Sequence, residues 1–173
     1  MSNIQQGMSN FQVFLQKARH LLESVTDPEI PVLTVNDLGI IRDVRMTEDG
    51  ALEVVITPTY SGCPAMGVIE TNIRAALQEG GFENVRVLTV LSPAWTTDWL
   101  TEDGRRKLRE YGIAPPAEAS LDKKALLGER KALVCPHCGS NETEMISQFG
   151  STACKALFRC RECLEPFDYF KCH

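Results

Sequence analysis

Apolar positions along the first 110 residues recur with two distinct periods. Phe11, Phe14, Leu15, Ala18, Leu21, Leu22 and Val25 follow helical spacing, which predicts an amphipathic helix with one buried face. Ser9, with Gln12 three residues later, suits the start of that helix as a cap. Asp27-Pro28 ends it, because the residue before a proline is pushed out of the helical region. The period then changes to two. Gly39 to Met46 and Leu52 to Thr57 are β-rich runs separated by Thr47-Glu48-Asp49-Gly50, which predicts a hairpin with a glycine in its turn. In the second run Leu52, Val54 and Ile56 alternate with Glu53, Val55 and Thr57, the pattern of a half-buried strand. Helical spacing returns from Pro64 to about Glu79, with Met66, Ile69, Ile73, Ala76 and Leu77 on one face and Gly80-Gly81 as the stop. A strand from Val85 to Leu91, a loop over 92–100 with two tryptophans, and a short charged helix from Thr101 to Tyr111 complete the unit. This order predicts an α+β fold in which three helices lie on a small sheet.

The periodicity then lapses. Residues 112–131 carry two prolines, small residues and mixed charge, the composition of a connector with one short helix. The chain therefore reads as a module over 1–112, a linker over 113–131 and a second module over 132–173. Six of the seven cysteines, Cys135, Cys138, Cys154, Cys160, Cys163 and Cys172, fall in that second module, and Cys63 stands alone upstream.

Cys135-Pro136-His137-Cys138-Gly139 and Cys160-Arg161-Glu162-Cys163 are two C-x2-C pairs separated by 21 residues. Each pair makes a tight loop that aims two thiolates at one point, and two such loops supply the tetrahedral four-sulfur set that Zn2+ favours. The expectation is a C-terminal zinc ribbon with one structural zinc per chain held by Cys135, Cys138, Cys160 and Cys163. So short a module cannot bury a large core, so the metal supplies much of its folding free energy. Thr143 to Phe149 and Ala156 to Arg159 read as its strands. A rubredoxin-like iron site is the competing reading of the first knuckle, and the surplus Cys154 and Cys172 are candidates to help hold an iron-sulfur cluster. His137 reads as pointing outward, and Cys172-His173 as a frayed terminus.

Composition narrows the function. At 43% apolar and 24% charged the chain matches neither a disordered nor a membrane protein. No apolar run approaches the length of a membrane span. The first ten residues lack the basic start and apolar core of an export signal, so a cytoplasmic location is expected, where clustered cysteines are metal ligands or reactive thiols rather than disulfides. The net charge is −5, and Lys131 to His173 holds five Lys/Arg against five Asp/Glu. Without a basic stripe in either module, nucleic-acid binding is not expected.

Cys63 lies in Thr59-Tyr60-Ser61-Gly62-Cys63-Pro64, between the second strand and the second helix. With Pro64 at the first helical position, its thiol would occupy the helix N-cap, where free N–H groups stabilise a thiolate. The Thr59 and Ser61 hydroxyls are close enough in sequence to hydrogen-bond the sulfur. Burial as a small hydrophobe is the competing reading. His20 is the one histidine upstream of the second module, so the thiol has no evident base and a metal-ligand or transfer role fits better than thiol catalysis. Asp27 and Glu29 read either as a solvated turn or as carboxylates that approach Cys63, and Trp95 and Trp99 as packing residues.

Asp27-Pro28-Glu29-Ile30-Pro31, Asp37-Leu38-Gly39-Ile40-Ile41 and Thr59-x-x-x-Cys63-Pro64 resemble the small domain of cytosolic iron-sulfur assembly factors, the family that includes SufT. The resemblance covers about residues 10 to 112. It implies a role in iron-sulfur protein maturation, with the family's characteristic cysteine at Cys63 and its acidic loop at Asp27. Ser92-Pro93-Ala94-Trp95-Thr96-Thr97-Asp98-Trp99, the two knuckles, residues 149–156 and residues 165–171 further resemble the D-subunit family of phenylacetyl-CoA epoxidase systems. That resemblance implies work alongside a di-iron oxygenase and a reductase bearing flavin and a plant-type [2Fe-2S] cluster. The implied role is an accessory, non-enzymatic factor that helps build or insert the reductase cluster in phenylacetate catabolism. Cys63 would carry iron or a cluster in transit, with Asp27 and Thr59 tuning the site. Its partners would be the reductase and oxygenase components and the iron-sulfur assembly machinery, and a dimer mate or the client would complete the single-cysteine site. The alternative is a structural or electron-transfer subunit of the same oxygenase.

Overall fold

In a computed structural model, residues 10–116 and 133–171 are described. Ser9, most of the linker, Cys172 and His173 lie outside the described residues. The fold is α+β, with two small sheets and three α-helices among the described residues.

Helix α1, Asn10–Leu22, ends earlier than the periodicity predicts. Its buried positions are Ala18 and Leu22, while Phe11 and Phe14 stay exposed. Val25 is buried beyond the helix end, held by its N–H to Leu22 and its carbonyl to the Val35 N–H. The helical spacing therefore runs through a segment that is helical only in its first part. Phe14 still packs on Phe82 at 4.4 Å between ring centroids, so the exposed edge of α1 leans on the loop after the second helix.

Strands β1, Ile41–Met46, and β2, Leu52–Ile56, form the antiparallel hairpin. Strand β3, Val85–Thr89, pairs parallel with β2, and the order is β1-β2-β3. A parallel neighbour requires a crossover, which helix α2, Met66–Glu79, provides. Strand β2 is central and covered more fully than its alternation predicts, since Val55 and Thr57 are buried together with Leu52, Val54 and Ile56. Helix α2 buries Ile69, Ile73 and Leu77.

Helix α3, Glu102–Glu110, starts at Thr101, whose hydroxyl accepts the Gly104 N–H at 3.0 Å. Asp37 ties this helix to the loop before β1. Its carboxylate accepts the Lys107 ammonium at 2.7 Å and the Thr34 N–H at 2.9 Å. Gly39 in the same loop has φ +64°, and a Cβ there would stand 2.1 Å from the Trp99 carbonyl oxygen. Only glycine meets both demands.

The second sheet runs β4-β7-β6-β5, with β4 Ile113–Ala114, β5 Thr143–Ser147, β6 Lys155–Cys160 and β7 Pro166–Phe170. Strand β4 lies in the segment read from sequence as linker and pairs parallel with β7. Strand β7 is not evident in the sequence pattern, because its run of five residues carries proline and aspartate among its aromatics. A small core of Leu133, Ala156, Phe158, Phe167 and Tyr169 sits beside the knuckles. The other face joins the first module: Cys154, Phe170 and Ile113 belong to the main core, and Trp95 meets Phe170 edge-on at 6.1 Å. Among the described residues no helix is long and apolar enough to cross a membrane.

Candidate functional site

Two clusters of chemistry-bearing side chains stand in this framework. The first is the knuckle pair. Among the described residues the Sγ atoms of Cys135, Cys138, Cys160 and Cys163 are the group compact enough to hold a metal, all within 4.8 Å of one another. Cys135 and Cys163 sulfurs are 3.7 Å apart, and those of Cys138 and Cys160 are 3.5 Å apart. Tetrahedral thiolates bonded at about 2.3 Å to one ion stand roughly 3.8 Å apart, so these two sulfur pairs already stand near the spacing a bound metal sets. Turn geometry explains the convergence. The Gly139 N–H reaches back to the Cys135 carbonyl at 2.9 Å, and Gly139 has φ +77°. Backbone N–H groups of Cys163 and Glu162 turn toward Cys160 and hold its thiol down to about 7, as suits a ligand that must lose its proton. His137 is exposed and outside the sulfur cluster. Cys154 is not a knuckle ligand either.

The second cluster surrounds Cys63. Its turn is closed by the Cys63 N–H to the Tyr60 carbonyl at 3.2 Å. Helix α2 begins at Met66 with Ala65 as N-cap, so Cys63 precedes the cap instead of occupying it. The thiolate stabilisation expected of a helix N-cap position is outweighed. Cys63 is half-buried, and its thiol is pushed up by burial, against the pull of the Ala65 N–H, and further by the carboxylates of Glu29 and Asp27. At neutral pH it is a neutral thiol. The reason is geometric: the proline turn delays the helix by two residues, and the loop after α1 folds its acids toward the sulfur.

Asp27 is buried, and its Oδ1 accepts the N–H groups of Glu29 and Ile30, both at 2.8 Å. It organises the loop that presents Glu29. Thr59 is half-buried and, with Thr57, Tyr60, Leu91 and Trp95, lines a cavity of about 270 Å3 beside the Cys63 turn. The Thr57 hydroxyl in that wall is buried without a hydrogen-bond partner among the described residues. Tyr60 is hydrogen-bonded with Cys63. Burial and the charges of Cys63, Glu29 and Cys154 push its phenol up to about 12.

Three residues enter this site beyond Cys63, Asp27 and Thr59. Glu29 is one of the two carboxylates that the sequence allows to approach Cys63, whereas Tyr60 is legible only as a neighbour of that cysteine. Cys154 comes from the other module, 91 positions downstream of Cys63. Its buried thiol lies 3.6 Å from Glu29 Oε2 and 3.1 Å from the Thr152 hydroxyl. Burial, relieved in part by the Thr152 hydrogen bond and reinforced by Glu29, raises it to about 11. Its standing as a cysteine without a knuckle partner is the one signal in sequence.

Comparison with known proteins places both clusters in matched segments. Residues 15–89 match the family described as iron-sulfur cluster assembly protein, and residues 119–171 match the PaaD zinc beta ribbon domain. A Bacillus subtilis (strain 168) protein named "Fe-S protein maturation auxiliary factor YitW" is 40% identical over 78 residues, covering 44% of this chain and 76% of that protein. The crystal structure of a domain of unknown function, DUF59, from Bacillus anthracis superposes with a TM-score of 0.52 at 26% identity, covering 56% of this chain and 92% of that one. An Escherichia coli (strain K12) protein, named as the putative D component of 1,2-phenylacetyl-CoA epoxidase, is 53% identical over 152 residues, 88% of this chain and 89% of that protein. At that identity over most of both chains, and with matches to an iron-sulfur cluster assembly family and to the PaaD zinc beta ribbon domain, the chain belongs to the PaaD family of phenylacetyl-CoA epoxidase components.

Proposed function

We propose that this protein is an accessory maturation factor of a phenylacetyl-CoA epoxidase in aerobic phenylacetate catabolism, assisting assembly or insertion of the [2Fe-2S] cluster of the reductase component. The observation that carries this reading is the half-buried thiol of Cys63, bordered by Tyr60, Glu29 and Asp27, within the segment matched to iron-sulfur cluster assembly proteins. Iron or a cluster is cargo in this scheme, not a resident group. A neutral thiol surrenders its proton as it takes soft-metal cargo and regains it on release, so an environment that favours the proton favours hand-over. Asp27 positions the acidic loop, and Thr59 borders the cavity beside the Cys63 turn.

The ribbon in this reading is structural and holds one zinc through Cys135, Cys138, Cys160 and Cys163, since an all-thiolate tetrahedral set suits Zn2+. The protein acts in the cytoplasm with the reductase and oxygenase components and the assembly machinery, as a non-catalytic subunit able to pair with a second copy or a client. The test is Cys63→Ser as the sole cellular copy. Reductase purified from those cells is expected to carry less [2Fe-2S] cluster per flavin, while the variant retains its fold. Normal cluster occupancy would refute the transfer role.

A further inference from the structure

The Cys63 cluster does not belong to the first module alone. Glu29 comes from the loop after α1, Cys63 and Tyr60 from the turn before α2, and Cys154 from the residue before β6 of the ribbon. Cys154 is 5% exposed and lies within the main core, against which Cys63 also packs. A sulfur and a carboxylate oxygen bound to one tetrahedral ion, with bonds of about 2.3 and 2.0 Å, stand roughly 3.5 Å apart. The Cys154–Glu29 pair is 3.6 Å apart. Support around the pair is also in place. Thr152 bonds the Cys154 sulfur, Asp27 fixes the Glu29 loop, and the Lys171 N–H holds the Cys154 carbonyl at 2.9 Å.

We infer that Cys154 and Glu29, together with Cys63, form a second metal site across the two modules, one that takes a thiophilic divalent ion of the ferrous class. This rests on the reading of Cys63 as the transfer thiol and supplies the ligands that a single cysteine lacks. Two thiolates and a carboxylate suit iron, cobalt or zinc, and the dianionic sulfur pair excludes magnesium and calcium as preferred occupants. Each thiol releases its proton to solvent as the ion binds. Cys63 stands farther from at least one of the other two ligand atoms than the knuckle sulfurs do from each other, so its turn closes onto the Cys154–Glu29 pair when the ion arrives. Three protein ligands leave a fourth position open, toward which a client thiolate can exchange. The ribbon then has a task beyond stability: it brings the second thiol.

The test uses the full chain with its knuckles already filled with zinc, titrated without oxygen with Co2+ alone. One Co2+ per chain is expected beyond the zinc, with thiolate-to-cobalt charge-transfer absorption that falls by about half in Cys154→Ser and in Cys63→Ser. Affinity is expected to fall at least about tenfold in each and in Glu29→Gln, while zinc content and far-ultraviolet circular dichroism stay at the wild-type level. An unchanged titration in Cys154→Ser, or no second ion in the wild type, overturns the composite site. Either result leaves the cellular role of Cys63 standing, whereas normal reductase occupancy with Cys63→Ser would remove that role and leave the Co2+ result untouched. Glu29→Gln keeps the inference testable if Cys154→Ser perturbs the core.

Discussion

A single glycine shows how far one residue can govern the first module. Gly39 combines a left-handed φ of +64° with a backbone oxygen 2.1 Å from where a Cβ would stand. Gly39→Ala is therefore expected to cost at least about 2 kcal/mol, read as a lower urea midpoint with little change in slope. The left-handed φ alone accounts for roughly 1–2 kcal/mol of this, so a loss above about 2 kcal/mol reports the clash with the Trp99 carbonyl oxygen. At Cys63 the decisive quantity is charge. Burial and the Glu29 and Asp27 carboxylates raise the thiol, so its alkylation by iodoacetamide should accelerate with pH around a midpoint above that of an ordinary thiol. Glu29→Gln removes one of the raising charges and should move that midpoint down. A midpoint that rises or stays fixed would show that the carboxylate does not act on the sulfur. Cys63 itself is legible from sequence as chemically special, but the sign of its shift is not. Sequence spacing puts it at a helix cap, and only the fold brings two carboxylates and a phenol around it.

At the scale of elements, helices and strands are legible wherever their own side chains drive burial. Ile69, Ile73 and Leu77 locate α2, and the Asp49-Gly50 turn locates the hairpin, because these patterns are local. The end of α1 and the existence of β4 and β7 are not, since each depends on a distant partner: β4 is two residues long and is a strand only because β7 lies beside it. Helix α3 is tied down in the same non-local way. Burial alone would raise the Asp37 carboxyl, but the Lys107 ammonium and the Thr34 hydrogen bonds outweigh it and hold it below the usual carboxylate range. Its stabilising effect is present above the unfolded-state value of about 3.9 and is lost as pH falls through the lower folded value. Asp37→Asn should cost about 2 kcal/mol at neutral pH, because Lys107 loses its buried partner, and should flatten the acid limb of the stability profile. Equal acid sensitivity in the variant and the wild type would place the titrating group elsewhere.

For the whole molecule, the knuckles and the contact between modules lie on one sheet. The knuckle sulfurs border the small core of Phe158, Phe167 and Tyr169, while Cys154 and Phe170 of the same sheet enter the main core. Removing the ion with a chelator should unfold β5 to β7, strip Phe170 from Trp95, and shift tryptophan emission to longer wavelength, while the helical signal of the first module persists. Unchanged emission would show that the ribbon holds its place without metal. Metal analysis of protein purified without oxygen should give about one zinc per chain and no iron-sulfur colour, and stoichiometric iron with acid-labile sulfide would favour the electron-transfer alternative instead. The two C-x2-C pairs and the helical and alternating periods are written in sequence because each depends on neighbours a few residues apart. The meeting of Glu29, Cys63 and Cys154 is not, because it depends on how two separately patterned modules pack, and that packing is chosen by buried contacts such as Trp95 against Phe170 that carry no signature at any fixed spacing.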